Sequence, residues 1–400
     1  HEEEVIRNAD FLVDMGPLAG VQGGHVVFAG PYASLNGNSE SLTAAYLNHR
    51  EQIPIPEVRR KTPNKIVLRE VAEHNLTGFD VTFQLNALNV VAGVSGSGKS
   101  TLVHDILFEA IKRQLDEPSR RSPGAFGGIE GEWSLITQVE MVNQQPIGKS
   151  SRSNPVTYVK AYDNIRKLMT GQQLSKIRGF QPKHFSFNVE GGRCEACKGE
   201  GEIVVEMQFL ADVRLICEDC KGQRFKQEVL EVLHKGKNIF EILNLTIEEA
   251  LDFFQGQKDI VQKIKPLHDV GLGYVKLGQS SSTLSGGEAQ RVKLASFLNK
   301  ENTGQHILFI FDEPTTGLHF HDIRKLLTAL NALVEQGHTV VIVEHNLEVI
   351  KSADWVIDLG PGGGRHGGRL LFEGDPEGLL KCKESITAEY LKEKMLGVPA

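Results

Sequence analysis

The chain has 400 residues, of which 44 are Lys or Arg and 51 are Asp or Glu, for a formal charge of −7 and 40% hydrophobic residues. That length predicts two or three domains with a sizeable core, and the ordinary composition excludes a fibrous or low-complexity protein. The acidic balance excludes a uniformly basic nucleic-acid binder, so any DNA-facing surface must be local.

No apolar run approaches the ~20 residues a membrane span requires, and the acidic start His1-Glu-Glu-Glu is neither a signal nor a transit peptide. Four of the five cysteines form two Cys-x-x-Cys pairs, which indicates a metal and a reducing, cytoplasmic setting rather than disulfides.

Residues 1–47 reappear as 345–391 at one constant offset without a gap, with 21 of the 47 positions identical. Asp14-Met-Gly-Pro17 matches Asp358-Leu-Gly-Pro361, and Leu42-Thr-Ala-Ala-Tyr-Leu47 matches Ile386-Thr-Ala-Glu-Tyr-Leu391. The second copy follows a complete nucleotide-binding pattern. The first copy is therefore expected to be the C-terminal remnant of an earlier, equivalent domain. Residues 48–64, rich in proline around Ile53-Pro-Ile-Pro56, read as a linker.

Two β-like runs, 65–71 and 79–85, lead to the apolar run 88–92 and then to Gly93-x-x-x-x-Gly98-Lys99-Ser100, with helix-compatible residues 101–111 behind it. This is the Walker A pattern between a strand and a helix. Its glycines let successive N–H groups aim at phosphate oxygens, and the helix start adds its positive end. Gly93, Ser95, Gly96, Ser97, Gly98 and Thr101 would form the cradle. Lys99 would reach the β- and γ-phosphates, and Ser100 would ligate Mg²⁺.

Between residues 112 and 284 the strand–helix alternation stops, so this stretch reads as an insertion, with a mobile Gly/Pro-rich start at 118–130 and a strand at 136–141. Residues 149–193 hold nine Lys or Arg and two acids, Asp163 and Glu190, a local asymmetry suited to DNA. Tyr158, Tyr162, Phe180, Phe185 and Phe187 are interleaved. The same pattern also suits a solvated face over core aromatics.

Cys194-x-x-Cys197 and Cys217-x-x-Cys220 stand 19 residues apart, the spacing of a four-cysteine zinc ribbon within about 190–225. Four thiolates leave no open position, so the metal would be structural. Residues 239–269 read as helical. Ser285-Gly286-Gly287-Glu288 opens a helix and suits an anion, though it is equally a plain N-cap.

Residues 307–311 read as a buried strand ending in Asp312-Glu313, the Walker B form. Asp312 would hold Mg²⁺ through water and Glu313 would polarise the attacking water. A further β-run, 339–343, delivers His345 to a position from which it would sense the γ-phosphate, although a lone His at a strand end is more often simply exposed or capped.

Walker A, Gln144, residues 284–290, Walker B and His345 occur in the order of an ATP-binding-cassette ATPase. The chain resembles the UvrA family more closely than that superfamily at large. The resemblance rests on Gln145-Pro-Ile-Gly148, Arg152-Ser-Asn-Pro-Val-Thr-Tyr158, Phe185-Ser-Phe-Asn-Val-Glu-Gly-Gly-Arg-Cys194 and Asp312-Glu-Pro-Thr-Thr-Gly-Leu-His319. The run from Gly278 to Ala295 carries it too. It covers nearly the whole chain and corresponds to the C-terminal half of a two-cassette protein.

The resemblance implies an α/β fold: a cassette (65–111 and 285–400) with a large, mostly helical insertion (112–284) carrying the zinc module. It implies a DNA-damage-recognition ATPase of nucleotide excision repair that binds lesion-bearing duplex DNA, dimerises and loads UvrB, while partners make the incision. Gln144 would be the catalytic Q-loop residue beside Glu313 and His345, and ATP, Mg²⁺ and Zn²⁺ would be bound. Lys149, Arg152, Lys160, Arg166, Lys176, Arg178 and Lys183 would face DNA.

Each ATP site in the superfamily lies between the Walker A of one cassette and the signature of another, so Ser285–Glu288 would serve an opposing site. Asn143, Glu2 and Phe126-Gly-Gly depart from the family pattern and raise a second-class paralogue linked to drug tolerance. The alternative is the cytosolic cassette of a transporter, for which the cysteine pairs have no use. A chromosome-maintenance ATPase would show heptads, and none appear.

Overall fold

A computed structural model describes the chain except for residues 1, 19, 21–22, 38–39, 120, 149–151, 206, 208–212, 300–303 and 397–400. It forms two units, His1–Gln144 with Lys300–Ala400, and Gln145–Asn299. The strands in chain order are β1 Leu12–Gly16, β2 His25–Gly30, β3 Lys65–Val71, β4 Phe79–Gln84, β5 Leu88–Gly93, β6 Gly128–Gly131 and β7 Gln138–Val142. They continue with β8 Glu202–Val205, β9 Val213–Ile216, β10 Ile307–Asp312, β11 Thr339–Val343, β12 Trp355–Gly360 and β13 Arg369–Gly374.

The first unit is built on a six-stranded sheet in the order β13-β12-β5-β11-β10-β7, parallel except for β13. β5 and β11 are buried at every residue, as near-continuous apolar runs in a covered parallel sheet should be. A second, antiparallel sheet, β4-β3-β6, shares one core with it. Leu102, Val103, Ile106, Leu107 and Ile111, from the helical stretch after the Walker loop, fill that core with Val91, Ile310, Val343, Ile66 and Phe83. Among the described residues no helix is long and apolar enough to cross a membrane.

The sequence repeat is also a structural one. β1–β2 and β12–β13 are antiparallel hairpins whose registers slip at matching points, Asp14/Met15 and Asp358/Leu359. In both, a strand aspartate accepts from two hydroxyls at the start of the following helix. Ser41 and Thr43 donate to Asp14 at 2.6 and 3.0 Å, and Ser385 and Thr387 donate to Asp358 at 2.5 and 2.8 Å. The copies differ in burial: β12 lies between β13 and β5, whereas Phe11, Val13 and Met15 around β1 are 64, 57 and 56% exposed.

Several boundaries differ from the sequence expectation. β6 and β7 place residues 128–142 in the two sheets of the first unit, so the second unit begins after Gln144 rather than near 112. Within the stretch 118–130, expected to be mobile, the described residues Gly124 and Ala125 are tied down: Gly124 N–H donates to Asp105 O and Ala125 N–H to Glu73 Oε2, at 2.8 and 2.6 Å. The helix Gly286–Leu298 belongs to the second unit, not to the cassette half that follows. The expected linker is anchored, since Arg59 donates to Ala353 O at 2.8 Å and Arg60 pairs with Asp354 at 3.0 Å.

The second unit is mostly helical, with β8–β9 as a separate hairpin. Residues 239–269 are helical as expected, in three helices, Ile239–Leu243, Ile247–Phe253 and Lys258–Leu267. Thr246 and Glu249 cap the second reciprocally, and Gly256, at φ +92°, turns the chain before the third.

His306, which leads into β10, lies 2.8 Å from Thr339 Oγ1, and burial, with His338 beside it, pushes its pKa from 6.5 down to about 4. It folds as the neutral base, so the unfolded chain binds the proton more readily and stability falls as pH drops from 6.5 towards 4. His306→Asn should flatten the pH dependence of urea unfolding across that window. An unchanged slope would contradict the assignment.

Candidate nucleotide site and cysteine cluster

β5 ends at Gly93, where φ is +130° and an added Cβ would come 2.1 Å from Leu359 O on β12. Gly96 and Gly98 follow at φ +75° and +104°, a backbone path that side-chain-bearing residues adopt only with strain. Ser95 and Ser100 are exposed, Ser97 is buried, and Thr101 opens the following helix. Lys99 is buried and folds back, with Nζ donating to Gly93 O at 2.8 Å and Val94 O at 3.0 Å. Burial pulls its pKa below the ordinary lysine value, against the charges of Glu313, Asp358, Glu344 and Asp312. Glycines that leave the loop open and a lysine satisfied by carbonyls that a phosphate could replace fit a nucleotide's phosphates.

β10 delivers Asp312 and Glu313. Glu313 has a left-handed φ of 41°, costly for a residue with a side chain. Its N–H donates to Val343 O at 2.9 Å, and its carbonyl accepts from Gln144 Nε2 at 3.3 Å. His345 Nδ1 lies 3.8 Å from Glu313 Oε1. Gln144, Glu313 and His345 are therefore brought together, as the motif order predicts. A cavity of about 670 Å³ opens here, lined in part by Gly93, Val94, Glu313, Thr316 and His345.

Two neighbours gave no signal in the sequence. The fully buried Glu344 carboxylate accepts from Thr315 N–H and Oγ1, from His345 N–H at 2.7 Å and from Asn346 N–H at 2.9 Å, so it ties the turn after β10 to the turn after β11. His104 Nε2 lies 3.5 Å from Asp312 Oδ2. An acid beside the conspicuous His345 and a histidine inside a helix carry no pattern that distinguishes them.

In the second unit, Ser285 caps the helix Gly286–Leu298 in a reciprocal box with Glu288, which Tyr274 OH also meets at 2.6 Å. Gly286 and Gly287 form its first turn. Cys194, Cys197, Cys217 and Cys220 are buried, with all four Sγ atoms within 4.8 Å of one another. Cys194–Cys217 and Cys197–Cys220 are 3.9 and 3.6 Å apart, close to the edge of a tetrahedron of thiolates around one ion. Gly201 N–H donates to Cys197 Sγ at 3.3 Å, the kind of support a metal thiolate receives. The donor set fits a closed metal site.

The basic segment resolves unevenly. Lys149 lies outside the described residues. Arg152 pairs with Glu200 at 2.7 Å, Arg166 with Asp163, and Arg178 with Glu231, whereas Lys160, Lys176 and Lys183 are exposed. The aromatics are largely core: Tyr162 packs its ring, tilted by 31°, against Phe187 at 5.2 Å and donates its OH to Phe185 O at 2.5 Å.

The phosphate loop on β5, the paired acids ending β10 and the histidine after β11 define a nucleotide-binding domain of the ATP-binding-cassette class, interrupted by a mostly helical unit with a cysteine cluster. Over 399 residues, 99% of this chain and 41% of the relative, the sequence is 50% identical to UvrABC system protein A of Mycobacterium bovis. The counterpart from Staphylococcus aureus is also 50% identical, over 98% of this chain and 41% of its own length. The crystal structure of UvrA2 from Deinococcus radiodurans superposes with a TM-score of 0.90 at 42% identity, over 98% of this chain and 46% of that one. No family model matches the chain. The chain belongs to the UvrA family and spans about two fifths of the length of the curated relatives it matches.

A chain purified without chelator should carry one tightly bound divalent ion by elemental analysis. Cys220→Ser should lose it, along with the rigidity of the β8–β9 hairpin seen by hydrogen exchange. Retention of the metal by that variant would exclude the four-thiolate site.

Proposed function

We propose that this chain is the part of a damage-recognising subunit of nucleotide excision repair that hydrolyses ATP with Mg²⁺, binds lesion-bearing duplex DNA and cooperates with UvrB. The observation that carries this reading is the gathering of Lys99, Gln144, Asp312, Glu313 and His345 at neighbouring strand ends in a chain half identical to UvrABC system protein A.

Bound at the loop, MgATP supplies the phosphoanhydride whose cleavage drives the protein's changes of state. Lys99 would exchange the Gly93 and Val94 carbonyls for phosphate oxygens, and Ser100 and Asp312 would hold the metal. Glu313, fixed through its backbone, orients and polarises the attacking water; His345 reads the charge beside it, and Gln144 holds the carbonyl of Glu313. Ser285–Glu288 offers backbone donors to the nucleotide of an opposing cassette in a dimer. Zn²⁺ is the ion that four buried thiolates suit best, and it would hold the hairpin. The exposed Lys160, Lys176 and Lys183, with Lys149, are the DNA-facing charges. The arginines, engaged with carboxylates, contribute less.

In the full-length protein Lys99→Ala should remove ATP hydrolysis, whereas Glu313→Gln should retain ATP binding and lower turnover by roughly a hundredfold or more. Wild-type turnover in either would remove that residue from the site. A salt series of duplex binding should lose slope when Lys160, Lys176 and Lys183 are replaced together; an unchanged slope would put the DNA surface elsewhere.

A further inference from the structure

After β12 the chain runs Gly360-Pro-Gly-Gly-Gly-Arg-His-Gly-Gly368, a glycine density that the nucleotide chemistry above does not use. This hairpin loop lies directly on the Walker loop. Gly364 N–H donates to Gly96 O at 2.9 Å and Gly368 N–H to Ser97 O at 3.1 Å. Asn75, from the turn between β3 and β4, donates Nδ2 to Gly96 O and to Gly364 O, both at 3.1 Å. Thr77 closes the ring, its N–H and Oγ1 donating to Gly368 O at 3.0 and 3.1 Å.

The contact is backbone against backbone, and a side chain would prevent it. A Cβ on Gly363 would fall 2.6 Å from Ser95 O, one on Gly367 3.1 Å from Ser97 Cα, and one on Gly368 1.7 Å from Asn75 O.

The carbonyl and the following N–H of a trans peptide point in opposite directions. Donors on the Gly96 carbonyl therefore hold the Ser97 N–H on Val94 O, where it closes the loop at 3.2 Å, and the donor on the Ser97 carbonyl fixes where the Gly98 N–H points, a group a phosphate-binding loop must aim at its ligand. Gly93, Gly96 and Gly98 give the loop unusual backbone freedom, and ordering it upon binding would weaken affinity. A ring of donors that orders it beforehand removes that cost.

We propose that the 360–368 loop, pinned by Asn75, is a brace that holds the Walker loop in its phosphate-binding shape, with Asn75 as its positioning residue. This rests on the reading of the Walker loop as a nucleotide site.

The test is calorimetric titration of MgADP into the 400-residue chain and three variants. Asn75→Ala removes two donor contacts and should weaken binding roughly tenfold or more. Gly363→Ala, which pushes on Ser95 O from the opposite partner, should do the same. Arg365→Ala, on the exposed tip of the loop, should bind as the unsubstituted chain does.

A readout that general destabilisation would not move is hydrogen exchange. MgADP should slow exchange of the Gly364 and Gly368 amides in the unsubstituted chain, and Asn75→Ala should abolish that ligand-dependent slowing at an unchanged melting temperature. Unaltered affinity and unaltered slowing in both Asn75→Ala and Gly363→Ala would overturn the brace and leave the nucleotide site standing. Failure of the unsubstituted chain to bind MgADP would overturn the nucleotide site and the brace with it.

Discussion

Lys99, Asp312, Glu313 and His345 are scattered over nearly 250 residues, and they meet because β5, β11 and β10 pair in parallel with one register. Val343 stands opposite both Val91 and Asp312, so the three strands end level and discharge their loops on the same side of the sheet. Carboxyl ends of parallel strands are where open α/β sheets bind ligands, since each loop leaves the core there and each helix begins there. A slip of one residue in β11 would move His345 to the opposite face and separate Glu313 N–H from Val343 O. The apolar runs that fix this register, Leu88–Gly93, Ile307–Asp312 and Thr339–Val343, are therefore as necessary to the chemistry as the polar residues they carry.

Around those strand ends the chain satisfies its own polar groups with short local devices. Glu344 joins two turns, Asp358 fastens a bulged strand to the helix beyond it, and Asn75 and Thr77 meet the glycine hairpin. The Asp–Ser–Thr fastening occurs twice, at Asp14 and Asp358, in surroundings of different burial. Its geometry is therefore set by the local sequence and not by the packing around it.

Motifs whose spacing is dictated by chemistry were legible from the residues: the Walker loop, the paired acids, the two Cys-x-x-Cys knuckles and the 47-residue repeat. What depended on partners distant in sequence was not. β6, Gly128–Gly131, has no apolar signature, because its pairing with β3 is a matter of backbone hydrogen bonds. Residues 239–269 carry helical periodicity through two breaks, visible only as the Thr246 cap and Gly256. The aromatics among the basic residues suited stacking on bases or packing in a core; Tyr162 and Phe187 pack. Positive charge in sequence says nothing of pairing, and Arg152, Arg166 and Arg178 each found a carboxylate.

The chain leaves the first unit immediately after Gln144, whose side chain holds the carbonyl of Glu313 through one 3.3 Å hydrogen bond. Glu313 itself sits at φ 41°, a conformation costly for a residue with a side chain. Its N–H is held by Val343 O and its carbonyl by the Gln144 side chain, so the peptide groups on both sides of this residue are fastened by two other segments of the first unit. The cost of the left-handed backbone is thus met by bonds made to the main chain, which leaves both carboxylate oxygens of Glu313 out of the fastening.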